Sequence, residues 1–210
     1  MFEKLESAFV GGRPYIQGSQ MVSNSTSFIR RNNPTKTIVL NQAKFIKTTD
    51  KEVFISSTKS LNLTELGSLD YSIDNKNNSF HLYCNEDIVQ RHKDSQDSNI
   101  VFLEVDKLNA VVSFNDSATN LDSILRSIIS ASKKLHSDLS SQTRDVWFTG
   151  FRGAEINTDS DMLPKSGRIH FKHLLTIGKE QFQTLSDVWI SDDETVNDIP
   201  KFKLMFAYKK

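Results

Sequence analysis

The stretch that decides the fold is residues 119–139, TNLDSILRSIISASKKLHSDL. Leu121, Ile124, Leu125, Ile128, Ile129, Ser132 and Leu135 recur at steps of three and four, which is one face of a 3.6-residue helix. Asp122, Arg126, Ser127, Ser130, Lys133 and Lys134 fall on the other face. Thr119 and Asp122 have capping-box spacing, and Lys133 and Lys134 suit the negative end of the helix dipole. Most of the surrounding sequence alternates with the period of a strand. The pattern predicts an α+β fold: a strand-rich antiparallel β-sheet with one long amphipathic helix, 119–139, packed on it.

Working outward, the helix is preceded by a shorter apolar stripe. Phe2, Leu5, Phe9 and Val10 have helical spacing, and Gly11, Gly12 and Pro14 end it. Residues 13–35 are rich in Ser, Asn and Gln with little periodicity, which reads as a loop. The expected organisation is an N-terminal amphipathic segment and flexible arm, 1–35, followed by a single α+β domain, 36–210. Such an arm would dock on a protein partner or sister subunit through Phe2, Leu5, Phe9 and Val10.

The domain itself reads as strands. Ile38, Leu40 and Ile46 share one parity while Val39, Ala43 and Phe45 share the other, as in a central strand apolar on both faces. Leu69, Tyr71 and Ile73 face Phe80, Leu82 and Cys84 across an Asp/Asn-rich turn, which predicts a hairpin. A second hairpin spans residues 99–114, and 86–98 reads as an exposed loop. Gly150 and Gly153 suggest a bulge in a strand over 145–156. Further strands are expected at 168–177, 182–190 and 202–208.

Composition narrows the function classes. A chain of 210 residues can bury about 70% of its unfolded surface. Its hydrophobic content is 37% and its mean hydropathy −0.42, so its core is economical. Fourteen Phe against seven Ala favour aromatic packing between sheet and helix. The only cysteine, Cys84, excludes an intrachain disulfide and fits a cytoplasmic or intracellular setting. Glu3, Lys4 and Glu6 interrupt any signal-peptide pattern, and no apolar run approaches the ~18 residues of a membrane span. Net charge is zero, which argues against broad nucleic-acid binding. Residues 1–60 nevertheless hold nine basic against four acidic residues, and 61–150 hold eight against thirteen.

No motif announces a reaction, a cofactor or a metal. His170 and His173 fall on opposite faces of a strand, and H-E-x-x-H is absent. Gly150-Phe151-Arg152-Gly153 is too short to cradle phosphate. Asp159, Asp161, Asp192, Asp193 and Glu194 lie in loop-like sequence and read as solvated, and Cys84 reads as core. The candidate binding surface is basic. Arg168, His170 and Lys172 share one strand face, and Lys201, Lys203 and Lys209 share parity on the last strand. Such a stripe suits phosphates of nucleic acid or an anionic membrane surface. Outward lysines that simply protect an edge strand have the same pattern.

The order of strand, Thr119-x-x-Asp122 helix and later strands ending in Lys203-Leu204-Met205-Phe206 resembles the matrix proteins of rhabdoviruses. That resemblance implies assembly with membrane and nucleocapsid, although a PPxY segment and a basic N-terminal tail are missing. The sequence therefore reads as a non-catalytic interaction or assembly protein, a viral or phage structural or accessory factor associated with the virion. The alternatives are binding through the basic strand face, or an enzyme whose site is dispersed over residues such as His136, His170 and Asp161.

Overall fold

The structure is a computed structural model and describes residues 2–10, 16–60, 62–89, 92–93, 99–105, 109–115, 121–139, 145–158, 166–177, 181–191 and 199–209. The chain forms two compact units, Met1–Asp97 and Ser98–Lys210. Each has an antiparallel sheet with a helix, so the α+β reading stands in its coarse form, with two helices among the described residues where one was expected. The expected boundary at residue 35 falls inside the first unit.

The first unit runs β1 (Phe2–Lys4), β2 (Phe9–Val10), α1 (Gly18–Asn32), β3 (Ile38–Phe45), β4 (Lys51–Ser56), β5 (Thr64–Ile73), β6 (Lys76–Ile88) and β7 (His92–Lys93). Its main sheet has the order β1-β4-β6-β5-β3, and β2 and β7 form a short parallel pair. Helix α1 occupies sequence expected to be a loop. It buries Met21, Val22, Phe28 and Ile29 beside Ser19, Gln20, Ser25 and Thr26, so its apolar period is diluted by polar residues.

Two of those polar residues, Gln20 and Thr26, are bonded into the core. Thr26 Oγ1 donates to the Val22 carbonyl at 2.9 Å, so the hydroxyl of Tyr71, 2.8 Å away, is the donor to Thr26. Burial drives the Tyr71 phenol far above its ordinary pKa, which keeps that proton in place. Gln20 Oε1 accepts from the Ala8 amide, and Asn24 donates to the Glu6 carbonyl.

These clamps correct the expected amphipathic arm. Phe2 belongs to a strand paired with β4 and stacks on Phe54 with ring centroids 5.3 Å apart. Leu5 is buried, and its amide donates to the Val53 carbonyl. Phe9 and Val10 lie in β2. An extended segment that completes a sheet edge satisfies its backbone in a way an isolated short helix could not.

Bulges shape this sheet. Register shifts between Leu40 and Gln42, so Ile38, Leu40, Ala43 and Phe45 are all buried despite their mixed parity. Ile46, expected on the same face as Ile38, is exposed. The β5–β6 hairpin turns on Asp74 and Asn75, with φ of 48° and 63°. Positive φ at both positions suits a tight two-residue turn, and Asp74 Oδ1 also accepts from the Thr37 amide.

The second unit runs β8 (Asn99–Val105), β9 (Ala110–Asn115), α2 (Leu121–Leu139), β10 (Asp145–Asn157), β11 (Ser166–Ile177), β12 (Gln181–Ser191) and β13 (Ile199–Lys209). Its strands lie in the order β10-β13-β12-β11-β9-β8. The strand after the helix, β10, pairs with the last strand, whereas its counterpart β3 pairs with β5. Gly150 sits at a register shift in β10 with φ of 137°, and Gly153 has φ of 68°. Bulges also interrupt β11 after Lys172 and the β12–β13 pairing after Val188. Such bulges bend strands, and α2 is buried over a wide arc: Leu121, Ile124, Leu125, Ile128, Ala131, Leu135 and also Ser127, which the periodicity placed outside. Among the described residues, no helix is long and apolar enough to cross a membrane.

One glycine tests the first unit's packing. Gly67 pairs with Phe45, and a Cβ there would lie 2.0 Å from the Lys44 carbonyl oxygen. That neighbour is backbone, so the strands themselves must part. Gly67→Ala should lower unfolding free energy by about 1–3 kcal/mol. A urea midpoint equal to the parent's would refute this account of the β3–β5 contact.

Candidate functional site

Among the described residues, two surfaces of the second unit carry polar groups that could do chemistry. The outward surface carries the predicted basic stripe. Strand β11 places Arg168, His170 and Lys172 opposite the buried Ile169 and Phe171. The His170 ring stacks on Trp189 at 4.8 Å with planes 1° apart, and its Nε2 lies 2.9 Å from Ser191 Oγ. Lys172 Nζ sits 5.1 Å from the centre of the Trp189 ring. Lys172, Asp187 and Lys203 stand in register on adjacent strands, with Arg152 opposite Lys203.

Asp187 accepts from Lys203 Nζ at 2.7 Å, so a phosphate approaching this row would compete with a carboxylate for Lys203. Lys201 belongs to β13, but the side chains of Lys201, Lys209 and His173 are outside the described residues, as are Asp159, Asp161, Asp192, Asp193 and Glu194. Sequence reasoning did not include Arg152, Asp187 or Trp189 in the stripe. Strand register, which sets them beside it, has no signature in a single chain segment.

The inward surface is the face of α2 toward β12 and β13. His136, in the last turn of α2, is 3% exposed and packs against the Phe206 ring at 5.2 Å. Its Nδ1 is 2.5 Å from the Ser132 carbonyl oxygen, and its Nε2 is 2.6 Å from Thr184 Oγ1. A carbonyl can only accept, so Nδ1 carries the proton and, in the neutral ring, Nε2 accepts from the Thr184 hydroxyl. Burial lowers the His136 pKa, while the bond to Ser132 works the other way. The result is a hydroxyl on a basic nitrogen whose ring is oriented by a third group, which is the arrangement of a proton-handling pair.

One turn before His136, the Oγ of Ser132 is completely buried and has no hydrogen-bond partner; Ser127 and Ser25 share that property. His136 was among the residues named for a dispersed site, but Thr184 was not. The available signal was Thr184 and Ser186 at the inward parity of β12, where Val188 and Ile190 are apolar. Among the described residues, no group of three or more His, Cys, Asp or Glu could hold a metal ion.

No protein-family model and no curated protein matches the sequence. Solved structures do match its fold. The tesB protein of Mycobacterium avium subsp. paratuberculosis aligns with a TM-score of 0.57 and 8% identity, over 98% of this chain and 92% of that one. A pyran synthase domain from the sorangicin pathway aligns at 0.56 and 11% identity, over 99% and 97%. An N-terminal dehydratase from the difficidin assembly line aligns at 0.54 and 9% identity, over 100% and 92%.

Such structural neighbours are hotdog-fold thioesterase and dehydratase domains. This overturns the reading of a non-catalytic structural or viral assembly protein, together with its matrix-protein resemblance: the fold is one that enzymes use. The sequence misled because no single stretch of it carries a signature of this fold.

The buried imidazole makes stability depend on pH. Its pKa in the folded chain lies below the ordinary 6.5, so the unfolded chain binds the extra proton first as pH falls. The stability that His136 contributes is complete above about pH 6.5 and is lost as pH falls toward the folded value. Urea midpoints measured from pH 7.5 to 5 should fall less steeply in His136→Gln than in the parent; identical slopes would contradict the assignment of a buried neutral ring.

Proposed function

We propose that this chain is an enzyme acting on acyl thioesters. The observation that carries the reading is the extent of the structural likeness, 98–100% of this chain and 92–97% of each neighbour described above. Both units therefore take part, not one shared helix and sheet. The neighbours include a dehydratase, a polyketide synthase enoyl-isomerase and a chain named as a thioesterase II, and an acyl thioester is a substrate that would suit chemistry of these kinds. The neutral, oriented His136 supports the same reading, because both hydrolysis and elimination need a base that is unprotonated near neutral pH.

The stripe on β11 and β13 takes no part in the chemistry so proposed. It faces away from the buried side of its sheet, and Lys172 and Lys203 are held by Trp189 and Asp187 on the same surface.

The test is a panel of coenzyme A and pantetheine thioesters with saturated and 3-hydroxyacyl chains of increasing length. Free thiol would report hydrolysis, and absorbance of a conjugated enoyl thioester would report dehydration. Turnover of at least one member is expected, with a preference by chain length. No turnover and no binding by any member would end the thioester reading.

A further inference from the structure

We propose that Ser132, His136 and Thr184 form the polar end of a binding site for the thioester carbonyl of an acyl chain. This rests on the thioester reading above and assigns it to a place. The first observation is the Ser132 hydroxyl, completely buried and without a partner. Buried hydroxyls are almost always bonded, and one that is not stands ready for an acceptor the folded chain does not supply. The second is its neighbourhood. Ser132 and His136 lie one turn apart on the same helix face, and the carbonyl of Ser132 fixes the ring that receives the Thr184 hydroxyl.

The chemistry of the surroundings selects the ligand. Ile128, Leu135 and Phe206 are buried on the same elements, and the Phe206 ring packs on His136. A ligand carrying a charge would lose its hydration there without gaining an ion partner. A sugar or nucleotide would bring more donors and acceptors than two hydroxyls and one imidazole can satisfy. An acyl thioester brings an apolar chain and one carbonyl oxygen. Ser132 Oγ–H would donate to that oxygen, while His136 Nε2 and the Thr184 hydroxyl would stand beside the reacting end.

Ser127 supplies an internal control. Its hydroxyl is also buried and unpartnered, but five residues away it points about 140° around the helix from Ser132. The experiment titrates the full chain with an unreactive probe, a dodecanoyl-pantetheine analogue in which CH2 replaces the sulfur and the carbonyl is kept. Binding is followed calorimetrically and by the ring-nitrogen NMR signals of His136. Ser132→Ala should weaken binding about 3- to 10-fold, the range of one neutral hydrogen bond, whereas Thr184→Val should shift the His136 ring-nitrogen signals. Ser127→Ala should leave binding unchanged, and the His136 signals should move on saturation.

Thermal melting separates this from a structural role. Ser132→Ala removes an unsatisfied group, so its midpoint should equal or exceed the parent's while its affinity falls. Binding that is equal in parent and Ser132→Ala, with His136 signals unmoved, would overturn the site and leave the thioester reading standing. Absence of probe binding together with absence of thioester turnover would overturn both.

Discussion

Each helix in this protein is buried over most of its circumference, and that burial dictates the rest. A flat sheet can cover only a stripe of a helix. Covering Leu121, Ser127, Ala131 and Leu135 at once requires strands that bend. In the second unit the bends are written as bulges in β10 and β11, and as glycines with positive φ at Gly150 and Gly153; in the first unit β3 carries its own bulge. The same demand explains the polar residues inside. A wide buried arc takes in positions that a one-sided helix would leave in water, and Thr26, Ser132 and His136 are among them.

How much of this was legible follows from particular residues. Helix α2 could be read because its apolar residues repeat cleanly over five turns' worth of sequence, and the β5–β6 hairpin because Asp and Asn tolerate the turn. Helix α1 could not, because Ser19, Gln20, Ser25 and Thr26 share its buried face and are recognisable as core only once Tyr71, Ala8 and Val22 stand beside them. In β3 the change of parity after Leu40 looked like a strand apolar on both faces. It marks a bulge, which returns Ala43 and Phe45 to the face already occupied by Ile38 and Leu40. A break in alternation is thus as informative as alternation itself.

The candidate site was hidden for a different reason. His136 and Thr184 are 48 residues apart, on a helix and a strand, and each alone is an ordinary residue in an apolar element. The basic stripe was conspicuous because several cations lie close in sequence. Yet Asp187, which tempers Lys203, is sixteen residues away and joins it only through strand register. Sequence proximity makes the exposed row easy to see and leaves the buried pair unmarked.

Fold and function meet in the state of one ring. His136 is protonated at Nδ1, because the Ser132 carbonyl can only accept, and burial disfavours a second proton at Nε2, which leaves that nitrogen to the Thr184 hydroxyl. Long-range proton–nitrogen correlation of the imidazole, recorded across a pH titration of the full chain, reads that state directly. The account predicts the Nδ1–H form at neutral pH and a pKa below 6.5. An Nε2–H form, or an imidazolium persisting at pH 7, would contradict it.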